Sequence, residues 1–415
     1  MEQPVFTTVT VNGYYTLLAA SIVLLFGRQL VRRIRFLRDF NIPEPVAGGL
    51  VAAIAIYILY ATAGLIFTFS ADLKNAFMLV FFTSIGLSAD FSRLKAGGQP
   101  LVIFTIIVGA FIILQDIVGV ALAAAMGQNP LLGLVAGSIT MTGGHGTAGA
   151  WGGDLEKLGL VGASGLGMAC ATYGLIAGGL IGGPVARRLI NKMGRKPLET
   201  READTSDDID QPDDIFEKPE RMRLITATAA VDTLAMFAAC LVFSEIMRQI
   251  AAAYFPKSIF DLPQFVWGLG GGVVLRNVLT GAFKFNMFDR AIDVFGNASL
   301  SIFLAIALLD LKLWELTSLA LPVTVILLTQ TVVMFLYATY VTYVFMGRDY
   351  DAAVLAAGHC GFGLGATPTA VANMQSVTES FGASHKAFLI VPMAGAFFVD
   401  LINSPVLPSF VKALQ

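Results

Sequence analysis

Charge is scarce in this chain. Only 13% of its 415 residues are Asp, Glu, Lys or Arg, while 56% are hydrophobic. A soluble domain carries roughly a quarter charged residues, so the composition excludes an ordinary water-soluble globule and places the chain in a membrane. The net charge of −2 leaves no basic excess for nucleic acid. Cysteine is almost absent. Cys170, Cys240 and Cys360 lie singly in apolar runs with no CxxC spacing, which excludes a disulfide frame or a thiolate metal site and leaves them as small packing residues. There is no metal-ligand cluster, nucleophile elbow or phosphate loop of the required spacing, so an enzyme is not expected. The first apolar run lacks a basic leader and a small-residue cleavage site, so it reads as a retained transmembrane helix.

What is abundant is apolar length. A spanning helix needs about 20 largely apolar residues, and ten stretches qualify: 11–27, 45–67, 75–89, 101–126, 161–186, 224–252, 262–280, 294–312, 319–346 and 387–410. Two further stretches, 131–150 and 352–373, are too interrupted by Gly, Pro and polar residues to be plain spans and read as re-entrant loops. With the N-terminus outside, the inner loops collect 21 of the 27 basic residues, leaving Lys74, Lys157, Arg248, Lys257, Lys312 and Lys412 outside. Positive-inside bias therefore predicts both termini outside. Residues 187–223 hold a segment with ten acidic residues and two prolines, read as a flexible cytoplasmic linker.

The parts on either side of that linker, 1–186 and 224–415, align at an offset near 220 residues. "IPEPVAGGL" from Ile42 matches "LPQFVWGLG" from Leu262, Asp90 falls on Asp310, and "MGQNPLLGLVAGS" leads into the first loop as "MGRDYDAAVLAAGH" leads into the second. Each half has an odd number of spans, five, so the second is predicted to lie inverted. Inverted repeats with interrupted segments at matching places are a transporter signature.

The first interruption, "GSITMTGGHGTAGAWGG" (137–153), contains seven glycines, a histidine and three threonines. Irregular backbone at membrane depth is tolerated only where protein buries it or water reaches it. There, exposed N–H groups beside a half-helix N-terminus suit an anion, and freed carbonyls suit Na⁺. The second tip is "GHCGFGLGATPTAVAN" (358–373), with Thr367 expected to cap a half-helix opened by Pro368. His145 reads as a proton carrier, a ligand or a structural hydrogen-bonder, and His359 as a packing residue. "GGLIGGP" (178–184) reads as close helix packing. Asp116 and Asp400 lie inside spans, where a carboxylate suggests function. Asp232 and Asp310 read as helix partners, and Glu44 as an acid stabilising a helix start.

Taken together, "IPEPVAGGL", "GSITMTGGHGTAGAW", "GGLIGGPVAR", "AAGHCGFGLGATPTAVANMQ" and "VPMAGAFFVDLIN" resemble the bacterial sodium/glutamate symporters of the glutamate:sodium symporter (ESS) family over nearly the whole chain. The resemblance implies an all-α polytopic fold of ten transmembrane helices in two inverted five-helix repeats, each with a re-entrant loop. It also implies Na⁺-coupled glutamate uptake across the bacterial inner membrane, an elevator-type core moving on a scaffold, and a homodimer. The family's first glycine loop falls on Gly143, Gly144, His145 and Gly146, and its second on Gly361 through Thr369, which reads GFGLG without a literal GGxG.

On this basis the substrate carboxylates are expected at Gly144, His145, Gly146 and Thr147 and at Gly363, Leu364, Gly365, Ala366, Thr367 and Thr369. Its ammonium is expected at Asp400 or, second, Asp116. Na⁺ is expected at loop carbonyls with Ser138, Thr140, Asn373 and Asn403. No Arg or Lys sits at mid-span, so backbone N–H groups and helix dipoles must do the recognising. Two other readings compete: a proton- or Na⁺-coupled carrier of another small dicarboxylate or amino acid, with His145 holding the proton, and a passive channel or a membrane receptor using the same pocket.

Overall fold

A computed structural model of the chain describes residues 7–40, 42–194, 226–255, 262–285, 287–313 and 319–415. It is almost wholly helical. In order the elements are β1 (Thr7–Thr10), α1 (Gly13–Arg33), α2 (Arg35–Asp39), α3 (Glu44–Ala63), β2 (Leu65–Thr68), α4 (Ala71–Ser88) and α5 (Phe91–Ala125). There follow α6 (Leu131–Leu134), α7 (Gly144–Lys157) and α8 (Ala163–Lys192), then α9 (Ala227–Tyr254), α10 (Gln264–Gly281) and α11 (Asp289–Leu309). The chain closes with α12 (Ala320–Tyr337), α13 (Tyr343–Phe345), α14 (Tyr350–Leu364), α15 (Thr367–Phe381), α16 (His385–Met393) and α17 (Val399–Ala413).

The short strands β1 and β2 pair in parallel, Thr7 opposite Leu65, a feature the hydropathy reading lacks. Both are rich in β-branched residues, which favour extended backbone. Among the described residues, eight helices are long and apolar enough to cross a membrane, and α4 and α10 are not among the eight. Each of these two is only 18 residues long. They carry Asp72 and Lys74, and Arg276, respectively, and they pack on one another.

The loops extend beyond their expected limits. The first continues through α7 to Lys157, and the second through α15 to Phe381. The cap of α15 falls on Ala366 and not on Thr367, with Pro368 still in the first turn; Ala366 has the extended φ/ψ a cap position needs. The linker reading of 187–223 is shortened as well, because α8 runs to Lys192; positions 195–223 lie outside the described residues.

Apart from β1, α2 and β2, which occur only in the first half, long helices and broken segments follow in a similar order in the two halves. Within the first, α3 packs on α1 and α7 on α8; within the second, α10 packs on α9 and α15 on α16. Between halves, α4 meets α10 and α3 meets α11. Asp90 and Asp310 each stand just beyond the C-terminal end of a helix, α4 and α11 respectively. Asp310 accepts from the Phe69 N–H (3.2 Å) and Lys74 (3.2 Å), and Asp90 accepts from Arg276 (3.0 Å). Cys170, Cys240 and Cys360 are free and buried.

α8 is the strut under the second loop. A Cβ on Gly174 would stand 1.9 Å from the Leu364 carbonyl oxygen, and one on Gly178 3.0 Å from those of Cys360 and Gly361. Only glycine lets α14 approach so closely; Gly174 and, in the "GGLIGGP" run, Gly178 provide it.

Candidate functional site

The first loop descends as α6, widens into a π-turn at Val135–Ile139, and turns through Thr140–Gly143 before α7 starts at Gly144. Gly144 has φ +63°, a left-handed conformation that a side chain disfavours. The second loop descends as α14, breaks at Gly365 and Ala366, and leaves as α15. The tips meet: a Cβ on Gly144 would lie 3.4 Å from the Gly365 carbonyl oxygen. Two half-helices therefore begin side by side, and the N–H groups of their first turns carry partial positive charge.

Side chains from neighbouring helices hold the tips. Gln115 on α5 donates from Nε2 to the Gly363 carbonyl (2.8 Å), and Thr142 Oγ1 lies 3.2 Å from the same oxygen and bonds Gln115 Oε1. Gln330 donates to the Gln115 carbonyl (2.7 Å). Asn373 donates to the carbonyls of Gly178 (2.9 Å) and Ala357 (3.3 Å), bracing α15 against α8 and α14.

Asp116 is fully buried and grips the first loop from behind. It accepts from the Ser138 N–H (2.9 Å) at Oδ1, and its Oδ2 lies 3.0 Å from Ser138 Oγ. That hydroxyl also lies 2.8 Å from Asn403 Oδ1, while Asn403 Nδ2 donates to the Ser138 carbonyl (3.3 Å). One hydroxyl hydrogen thus faces two acceptors, in a cluster that brings together a carboxylate, a hydroxyl, an amide oxygen and a main-chain carbonyl. Such an oxygen-rich donor set fits a hard cation. Thr140 donates instead to the Val135 carbonyl (2.6 Å), so of the four sequence-predicted ion ligands Ser138 and Asn403 come together while Thr140 and Asn373 bond elsewhere.

The meeting tips open into a cavity of about 660 Å³, within the size range of small-molecule sites. Thr142 through Thr147, Gly365 through Pro368, and Asp400 line it. Asp400 is only partly buried and is hydrogen-bonded by the Thr147 hydroxyl. A π-turn at Ala394–Phe398 turns its helix so that Gly395, Ala396 and Asp400 share this wall. Gly363 and Leu364 lie behind the tip, buried, as does Thr369. Asp116 is also outside the cavity lining.

The His145 ring bonds Thr172 Oγ1 through Nε2 (3.0 Å), and Thr172 donates to the Met168 carbonyl (2.8 Å). With the Thr172 hydroxyl donating to Met168, the geometry favours the tautomer in which His145 Nε2 carries the hydrogen and donates to Thr172. His359 is packed as expected: Nδ1 meets Thr342 Oγ1 (2.8 Å) and the ring stacks on Phe362 at 5.1 Å.

The opposite wall went unread in the sequence. Ser84 and Phe81 on α4, and Asp293, Asn297 and Ser301 on α11, face the tips. The signal was present: Asp293, Asn297 and Ser301 recur every fourth residue along α11, which is one polar face. The contact between wall and tips is made by rings on glycines. A Cβ on Gly146 would lie 2.8 Å from Phe81 Cε1, and one on Gly149 2.5 Å from Phe303 Cζ.

A profile of the sodium/glutamate symporter family matches residues 9–383. The sodium/glutamate symporter of Haemophilus influenzae is 51% identical over 399 residues, covering 96% of each chain. That of Escherichia coli is 49% identical over 397 residues, covering 95% of this chain and 96% of its own length.

Proposed function

The chain belongs to the sodium/glutamate symporter family, and from that premise we propose that it carries L-glutamate into the cell with Na⁺ by alternating access. It is a multi-pass membrane carrier and not an enzyme. The observation that bears most weight is the convergence of two half-helix N-termini, at Gly144 and Thr367, on one cavity that also holds Asp400. Paired N-termini match the two carboxylates of glutamate, and Asp400 matches its ammonium. His145, Gly146 and Thr147 and, across the cavity, Gly365, Ala366 and Thr367 supply N–H and hydroxyl donors. Asn297 and Ser301 face the substrate from the opposite wall.

Na⁺ is assigned to the Ser138–Asn403 cluster, with Asp116 as its charge and not as an ammonium partner. The cluster lies directly behind the first tip, so an ion there draws Ser138 and the following turn into place before glutamate docks. This ordering is the coupling step: a protein whose tip is shaped without Na⁺ would bind glutamate equally in its absence.

The reading of ten spans in two inverted repeats is supported by the similar order of long helices and broken segments and by Asp90 and Asp310, each just beyond a helix end. In that reading α4 and α10 are the two spans too short and polar to stand out. They are shielded by each other, with both termini outside and the protein in the bacterial inner membrane. α1, α3, α4 and α9–α11 form a scaffold, and the remaining helices a core that bears both loops. Smooth ring-on-glycine contacts at Gly146 and Gly149 suit an elevator-like slide between them. The cavity at the tips opens beside Glu44, Ser88 and Asp293, at the end the basic loops mark as cytoplasmic. The family resemblance also implies a homodimer, and the bare apolar face of α9, with Val231, Leu234 and Val242 exposed, offers a surface for it.

The test is uptake of labelled L-glutamate into proteoliposomes under an inward Na⁺ gradient, against K⁺ at matched pH. Accumulation above equilibrium only with Na⁺ is expected; uptake that follows an imposed proton gradient instead would move the coupling to His145. A second measurement separates these roles. With Nε2 committed to Thr172, His145→Asn should lower Na⁺-driven uptake by less than about tenfold, the scale of one lost neutral hydrogen bond. Abolished uptake in that variant would contradict a purely structural histidine.

A further inference from the structure

On the far side of the Phe303–Gly149 contact lies a larger cavity of about 1270 Å³, which the transport reading leaves without a role. Its wall includes Gly149, Ala150 and Trp151, the turn of α7 that follows His145–Thr147. Lys74, Lys157, Arg248, Lys312 and Lys412 also line it. These are five of the six basic residues on the side that the inner loops leave poor in positive charge. The acidic lining is smaller: Asp154, Glu156 and Asp310. A face with so few cations has gathered them at one opening.

Four of these cations are engaged, Lys312 among them. Lys157 pairs with Asp154 (2.8 Å), Lys74 with Asp310 (3.2 Å) and Arg248 with Glu245 (2.6 Å). Lys412 is different. Its Nζ is buried and, among the described residues, has no hydrogen-bond partner. A lysine at a helix end ordinarily extends its ammonium into water, and withdrawing an unpaired ammonium from water is unfavourable. Here that unpaired group stands in the wall of a cavity. Lys412 is also in the last turn of α17 while Asp400 is in its first, about 18 Å away at 1.5 Å per residue. One helix therefore joins the free ammonium of the large cavity to the carboxylate of the transport site.

We propose that this cavity is an anion-loading vestibule, in which the Lys412 ammonium takes a carboxylate of the amino-acid anion before the loop tips receive it. The proposal rests on the carrier reading and adds a separate, earlier binding site to it. Charge gathered in a low-dielectric cleft raises the local concentration of an opposite ion and its rate of entry, and salt removes the effect.

The experiment is Na⁺-driven glutamate uptake by the full chain, with Lys412→Gln, Lys412→Arg and Lys412→Cys compared at low and high ionic strength. For Lys412→Gln we expect KM to rise about fivefold at low ionic strength with kcat nearly unchanged, and the gap to close in high salt. Lys412→Arg should restore KM. Because Cys170, Cys240 and Cys360 are buried, a thiol reagent added outside reports on position 412 in Lys412→Cys. An ammonium-bearing reagent should lower KM, and a sulfonate-bearing one should raise it further. Wild-type KM in Lys412→Gln, or reagent effects that ignore the sign of the charge, would overturn the vestibule. So would an equal change on Lys386→Gln, which removes a cation assigned to the opposite face. If wild-type protein shows no Na⁺-driven glutamate uptake, the carrier reading fails first, and that outcome is distinct from all of these.

Discussion

Asp116→Asn is expected to raise the Na⁺ concentration for half-maximal glutamate uptake about 100-fold, equivalent to about 2.8 kcal/mol. The magnitude is that of removing one member of a buried charged interaction. Asparagine keeps the shape of the side chain, and its oxygen can still accept from the Ser138 N–H (2.9 Å). What it loses is the negative charge that, in the proposed ion site, offsets Na⁺ beside Ser138 and Asn403. Asp116→Ala should be worse for a different reason, since it leaves that buried N–H without an acceptor at a cost of about 1–3 kcal/mol of stability. Thermal unfolding of the purified protein with and without NaCl separates the two effects. Wild-type protein should be stabilised by Na⁺, Asp116→Asn should unfold near the sodium-free wild type and respond little, and Asp116→Ala should unfold lower still. An unchanged Na⁺ response in Asp116→Asn would remove this carboxylate from the ion site.

The second large effect is expected at the contact between α7 and α11. A Cβ on Gly149 would stand 2.5 Å from Phe303 Cζ and 3.1 Å from Met168 Cε, so Gly149→Val pushes a side chain into the gap between α7 and α11. Overpacking of this kind costs about 1–3 kcal/mol, enough to slow a step about tenfold or more if it falls on the barrier. Gly149 is one turn beyond the tip residues. Glutamate binding to Gly149→Val should therefore stay close to wild type while turnover drops. Adding Phe303→Ala empties the space opposite and should recover much of the turnover, a coupling that a double-mutant cycle reads directly. Wild-type turnover in Gly149→Val would mean that α7 does not move against α11 during the cycle.

Much of the site could be read along the chain because its parts are local. The glycines at 143, 144 and 146, and the Ala366-Thr367-Pro368 run, mark interrupted helices wherever they occur, and the interruptions do meet in space. Asp400 was recognisable because a carboxylate inside an apolar span is rare, and it does line the cavity. Asp116 carried the same signal but serves behind the loop. Nothing in its neighbourhood on α5 distinguishes a side chain aimed at substrate from one aimed at Ser138. The sequence marks Thr140 and Asn373 as oxygen donors near the tips; the Thr140 hydroxyl bonds the Val135 carbonyl of its own segment, a local competition, whereas the Asn373 amide nitrogen reaches α8 and α14 and leaves its oxygen unspent among the described residues. Asn297 and Ser301 were overlooked because α11 reads as an ordinary apolar span unless its polar positions are counted by turn.

By itself the sequence determined the solvent in which this chain folds, the places where its helices break and the family it belongs to. Those properties depend on residue type and short-range order: apolar length sets membrane spans, glycine and proline interrupt helices, and long ordered strings identify relatives. Only the tertiary structure decided which carboxylate faces the cavity, that Ser138 and Asn403 meet across 265 positions of chain, and that Phe81 and Phe303 rest on glycines. It also decided that the scarce cations Lys74, Lys157, Arg248, Lys312 and Lys412 share one cavity. Each of these is a matter of how helices far apart in sequence rotate and cross, and that is set by packing between their surfaces and not by the residues of any one of them.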